Sequence, residues 1–290
     1  MAFKTGLGVT NNVKGRIRIY ALWFMATCFA LVAPSPLLSF AWSGFPCEDV
    51  NNNGACDPGE PDITAHLLSA GSFYTSESIV IPAGVKGLIT PAYVDLSLMA
   101  EKNITLNSNL IAKNASIFIF AGGTITIGDK TTLRAGGDSV MLDARGDIVL
   151  RVQASLLADQ RANGRVYLFS EEGSLLLMQK SRLIAKDSAD LQALQGVIAV
   201  NRGSTLNARS VSVHAAGDVT VNGSLLKVGS WLEVETWAHL LDFQQNMVQF
   251  MSYESSAYLI TGGSTVNISG TVFKNLSPDD LIIQAGQVIQ

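Results

Sequence analysis

The stretch GGTITIGDKTTLRAGGDSVMLDARGDIVL, residues 122–150, decides the fold. Its apolar side chains alternate with polar ones in three short runs: Ile125 and Ile127, then Leu133 and Ala135, then Val140 and Leu142. Alternation of period two describes a strand with one buried face, and the Gly, Asp and Lys residues between the runs describe corners. The pattern restarts at Ile148, so one unit holds three strands and three corners in 23 residues.

The same unit starts six times, at Ile104, Ile125, Ile148, Leu175, Ile198 and Val219, with spacings of 21, 23, 27, 23 and 21 residues. In four copies the internal spacing is identical. Ile148, Leu150, Leu156 and Ala158 repeat Ile125, Ile127, Leu133 and Ala135, as do Leu175, Leu177, Leu183, Ala185 and Ile198, Val200, Leu206, Ala208. Each copy ends in a third alternating strand: Ile117 and Ile119, Val140 and Leu142, Val166 and Leu168, Leu191 and Ala193, Val211 and Val213, Leu232 and Val234. Short strands of this kind cannot pair within one unit, but each can pair with its equivalent one coil later, roughly 4.8 Å away. The expected fold is all-β: a single-stranded, right-handed parallel β-helix of about six to eight coils. Gly123, Gly146, Gly173, Gly196 and Gly217 are expected at corners with positive φ, and Asn107, Gly128, Asn201 and Asn222 as left-handed turn residues.

Residues 1–43 carry Lys4, Lys14, Arg16 and Arg18 and no acidic residue, followed by an apolar run from Ile19 to Trp42. This is the pattern of a signal peptide, with small residues near Ala41 for cleavage. The same run is long enough to serve as an uncleaved anchor. Cleavage removes four positive charges and takes the net charge from −4 to −8. No basic stripe remains to neutralise phosphates, which excludes nucleic acid as a partner, and no membrane span is expected after cleavage. The expected location is secreted, at the cell surface or in the periplasm. Cys47 and Cys56 are the two cysteines of the mature part, and an oxidising compartment favours a disulfide between them.

Between them lies the sharpest local motif, CEDVNNNGACDPGEPD, residues 47–62. Asp49, Asn51, Asn53, Gly54 and Glu60 match the spacing D-x-[DN]-x-[DN]-G-x5-E. Calcium takes six to eight hard oxygens, and the spacing offers Asp49, Asn51, Asn53, the Ala55 carbonyl, Asp57 and a bidentate Glu60. The stretch resembles the EF-hand-like or dockerin-type loops of secreted bacterial proteins, which implies Ca2+ as a structural cofactor. No entering helix precedes Asp49, and a short exiting helix is expected over Ile63–Ala70. A disulfide-tied turn without metal is the competing reading.

Outward third-strand residues form two expected columns. One reads Phe118, Met141, Tyr167, Gln192, Ser212, Glu233, and the other Phe120, Asp143, Phe169, Leu194, His214, Glu235. Apolar groups on an exterior face call for a cover or a partner. The cover is expected from the segment after Trp237, where the repeat lapses into a Phe- and Met-rich stretch; the partner would be a glycan or a surface protein. His214 and Glu235 are expected one rung apart, with Glu233 and Glu235 about 7 Å apart on one face. Carboxylate pairs at such separations serve glycosidases, although a solvated surface pair has the same sequence signature. His66 and His239 show no metal-ligand spacing.

The repeats resemble the haemagglutinin-type β-helices of secreted bacterial adhesins over about 130 residues. The resemblance implies a surface or adhesin-like binding and structural protein, stabilised by calcium and without catalytic residues. A polysaccharide lyase or glycoside hydrolase on the same fold is the alternative. The expected organisation is a signal peptide over 1–43, the calcium loop over 44–70, the β-helix over 71–237, and irregular coils with a cap over 238–290.

Overall fold

The computed structural model describes residues 45–290 apart from 86, 87, 253 and 264. The expected signal peptide therefore lies outside the described residues. Among the described residues no helix is long and apolar enough to cross a membrane.

The chain winds into a parallel β-solenoid. The first strands of successive coils, from Ser78–Ile81 to Gln287–Ile289, form one sheet in which ten strands run parallel, which makes about nine turns. This exceeds the six to eight coils expected, because the winding does not lapse at Trp237. Leu240–Gln244 pairs in parallel with Val219–Asn222, Met247–Phe250 with Leu225–Thr236, and Ser256–Thr261 with the later part of that same strand. Leu241, Phe243, Val248 and Phe250 are fully buried, so Phe243 and Phe250 fill the interior and do not cover the exterior. In place of irregular coils and a cap, the register continues through Thr265–Asn267 to Gln287–Ile289.

The interior follows from the period-two pattern. Ile104, Ile125, Ile148, Leu175, Ile198, Val219 and Leu241 stack as one inward column, all with no exposed surface. Leu110, Leu133, Leu156, Leu183, Leu206 and Leu226 form a second column on the next wall. Burying each such side chain contributes about 1.5–3 kcal/mol. In the late coils the second and third strands merge into continuous strands, Thr205–Ala215 and Leu225–Thr236, with an irregularity between Ala208 and Ser210.

The corners differ from expectation in their physics. None of Gly123, Gly146, Gly173, Gly196 and Gly217 adopts positive φ. They are needed for close approach instead: a Cβ at Gly196 would lie 2.0 Å from the Gly173 carbonyl oxygen, and one at Gly173 would lie 2.4 Å from the Asp147 nitrogen. The neighbouring Asp residues tie coil to coil, since Asp147 Oδ1 accepts the Ser174 N–H at 2.7 Å and Asp218 Oδ1 accepts the Leu240 N–H at 3.0 Å. The left-handed residues fall two positions after Gly128 and Asn201, at Lys130 and Gly203, with Gln153, Lys180, Gly223, Gln245 and Gly270 in equivalent places. The Gly128 carbonyl accepts the Thr131 N–H at 3.2 Å, which makes Lys130 the third residue of a turn, the place where positive φ is required.

At the N-terminal end a short helix, Thr64–Ala70, covers the first coils with Leu67, and Ile63 is buried beside it. It stops at Gly71, which is left-handed and packs so close to Asp95 that a Cβ would lie 2.5 Å from the Asp95 oxygen.

Candidate functional site

Two places on the solenoid bring chemistry-bearing residues together: the outward face of the third strands and the loop at residues 47–62. On the third strands the register sets the columns. One column runs Phe118, Met141, Tyr167, Asp190, Ser212, Glu233, Tyr258, and the other Phe120, Asp143, Phe169, Gln192, His214, Glu235, Ile260. The fourth rung differs from expectation by two residues, because Ala189 and not Leu191 pairs with Val166. Gln192 thereby moves to the second column, and Leu194 lies beyond the strand.

In the early coils the face is apolar. Tyr167 and Phe169 stack with ring centroids 6.1 Å apart, and the Tyr167 hydroxyl reaches Gln192 Oε1 at 3.3 Å. Asp143 stands in the ladder between Phe120 and Phe169. Burial there, helped by the negative charge of Glu171, pushes its carboxyl up to about 6. Burial likewise raises the Tyr167 phenol, with Asp143 and Asp190 adding to the effect.

In the late coils the face is ionisable. His214 stands opposite Glu235 and Ser212 opposite Glu233. His214 Nδ1 lies 3.2 Å from Glu235 Oε2, and Nε2 lies 4.0 Å from Glu233 Oε2. One ligand atom from each of the three residues lies within 4.8 Å of the other two, so the glutamates approach more closely than the expected 7 Å or so because both lean toward the imidazole. Two indoles hold the carboxylates from outside: Trp237 Nε1 donates to Glu235 Oε1 at 3.1 Å and Trp231 Nε1 to Glu233 Oε2 at 3.4 Å. Trp231 also packs on Tyr258 of the next coil, ring centroids 4.6 Å apart. The sequence carries no signal for the indoles, because Trp231 lies within the strand Leu225–Thr236 one step before the outward columns and Trp237 just past its end.

The loop is fastened at both ends. A disulfide joins Cys47 to Cys56 with 5.7 Å between Cα atoms, and Cys47 bridges to Asp62 in antiparallel fashion. The entering segment is thus the strand Cys47–Asp49, paired antiparallel to Ser78–Ile81. Asp49 is 1 % exposed, and its two oxygens accept the N–H groups of Asn53 at 3.2 Å and Gly54 at 2.8 Å. Asn51 Oδ1 accepts the Asn53 N–H and Asn53 Oδ1 the Ala55 N–H, which wraps the chain inward at every second residue. Glu60 reaches back to accept the N–H groups of Val50 and Asp57, and Asp57 Oδ2 accepts the side-chain amides of Asn51 and Asn53. Between this loop and the outward first-strand face lies a polar cleft of about 290 Å³, lined by Asn52, Ser78, Asn103, Thr105, Thr124 and Thr126 among others. That cleft had no sequence signal, since outward threonines on strands read as ordinary β formers.

His66 lies beside Phe73, and neither it nor His239 joins a cluster among the described residues. No protein-family model, curated protein or solved structure matches this chain.

Proposed function

We propose that the chain is a secreted or cell-surface binding and structural protein of the adhesin type, which engages a glycan or a surface protein through its third-strand face. The observation that supports this is the ladder itself. Phe118, Phe120 and Tyr167 in the early coils, with Phe169 buried beside Tyr167, and His214, Glu233 and Glu235 in the late ones stand in two continuous columns, neither of which contains Lys or Arg. Aromatic side chains spaced by the strand repeat suit stacking against sugar rings or a flat protein surface. The hydrolase alternative needs two carboxyls about 5 to 9.5 Å apart with one free to act as acid. Glu233 and Glu235 are both turned to His214 and the indoles, so neither stands free as the acid. The test is a glycan panel probed with the purified chain alongside a reducing-sugar assay. Binding without product release is expected; release of reducing ends would favour the hydrolase.

The loop at 47–62 is proposed to hold a calcium ion that fixes the entry to the first coil. Its donor set fits: the side-chain oxygens of Asp49, Asn51, Asn53, Asp57 and Glu60 and the Ala55 carbonyl are hard ligands in number sufficient for Ca2+. Asp49, Asp57 and Glu60 also share the loop without an ion pair to Lys or Arg among the described residues. Bound calcium would neutralise those carboxylates, with an affinity of roughly 10⁻⁴ to 10⁻³ M as in other extracellular modules. Millimolar calcium should raise the melting temperature of the wild-type protein and leave an Asp49→Ala, Glu60→Ala variant unmoved. A calcium-insensitive wild-type melt would refute it.

A further inference from the structure

We infer that His214, Glu233 and Glu235 form a site for a divalent transition-metal cation of the zinc type. The ligand types come first. An imidazole nitrogen with two carboxylate oxygens suits zinc and its neighbours, whereas calcium and magnesium favour all-oxygen sets. The geometry comes second. Two ligands at 2.0–2.1 Å from a tetrahedral zinc lie about 3.4 Å apart. His214 Nδ1 and Glu235 Oε2, 3.2 Å apart, already span such an edge. Glu233 completes the three: its Oε2 lies 4.0 Å from His214 Nε2, and one ligand atom from each residue lies within 4.8 Å of the other two.

Electrostatics supplies the reason for a cation. The three side chains are about 30 % exposed, so their charges are only partly screened. Both glutamates face a single imidazole, and neither makes an ion pair with Lys or Arg among the described residues. A divalent ion relieves the repulsion between the carboxylates. The scaffold holds the ligands without further cost: His214 and Glu235 are register partners on adjacent parallel strands, and Glu233 follows on the same face of its strand. Trp237 fixes Glu235 through Oε1, the oxygen that His214 does not contact, the arrangement by which outer hydrogen bonds orient metal ligands. Three protein ligands leave a coordination position open to water or to a ligand oxygen from outside.

The experiment titrates zinc chloride into chelator-treated full-length protein by calorimetry, and repeats it with cobalt(II) followed by visible absorption. One zinc per chain is expected, with d–d bands of a four-coordinate cobalt centre. His214→Gln and Glu235→Gln should each weaken binding at least tenfold, while Asp49→Ala with Glu60→Ala, at the other end of the solenoid, should leave it unchanged. Glu235→Gln keeps the side-chain shape and carries the test if His214→Gln fails to fold, as read by circular dichroism. Absence of zinc heat and cobalt bands in the wild type, or wild-type affinity in Glu235→Gln, overturns the assignment. Glycan binding is measured separately, so the two readings fail independently.

Discussion

The early and late halves of the third-strand face share one backbone and carry different chemistry. Phe120, Asp143 and Phe169 occupy the same column, in the same register, as His214, Glu235 and Ile260. In the early half a buried carboxyl between two rings is driven toward its neutral form. In the late half two carboxylates are held by an imidazole and two indole N–H groups. The comparison separates scaffold from chemistry: the coils supply a fixed rung spacing, and the outward side chains alone decide what each segment of the face can do.

If that separation holds, truncating the inward layer should cost about the same in either half. Leu168→Ala beneath the early face is expected to lose about 3 kcal/mol and Val234→Ala beneath the late face about 2 kcal/mol, read from denaturant midpoints. Both residues are fully buried. A much smaller loss in one half would show that its coils are not packed alike.

Asp143→Asn sharpens the comparison from the outside. The folded carboxyl titrates at about 6 against an ordinary 3.8, so the folded state holds its proton more tightly than the unfolded state does. Its penalty is absent below about pH 4, grows as pH rises from there to about 6, and stays on the order of 2–3 kcal/mol near neutrality. The Asn variant should therefore be more stable than wild type at pH 7 and equal to it at pH 4. Equal stability at both values would place Asp143 in contact with water and remove the contrast between the halves.

Much of this architecture was legible in the residues themselves. Period-two alternation fixed which side chains face inward, and the repeat spacings of 21 and 23 residues fixed the parallel stacking of Ile125 on Ile104 and Ile148 on Ile125. What the pattern could not resolve has physical causes. A slip of two residues keeps every side chain on its own face, so the alternation of Ala189, Leu191 and Ala193 fits two registers equally well. Gly173 and Gly196 lack a Cβ because the preceding coil approaches too closely, whereas Gly203 lacks one where the backbone is left-handed; the letter is the same in both cases. Phe243 and Phe250 broke the run of inward Leu and Val and so read as a cover, although larger side chains fill the interior of the last coils. On the face, the pairing of His214 with Glu235 followed from spacing alone, while the indole donors and the burial of Asp143 depend on side-chain positions that spacing does not carry.

The most direct measurement compares binding to the glycan panel by the wild type, by Phe120→Ala with Tyr167→Ala on the third-strand face, and by Leu176→Ala with Val149→Ala on the outward first-strand face. At least a tenfold loss is expected for the first pair and no change for the second. Equal binding by all three folded proteins, or a loss confined to the first-strand pair, would contradict the assignment of the third-strand face as the binding surface.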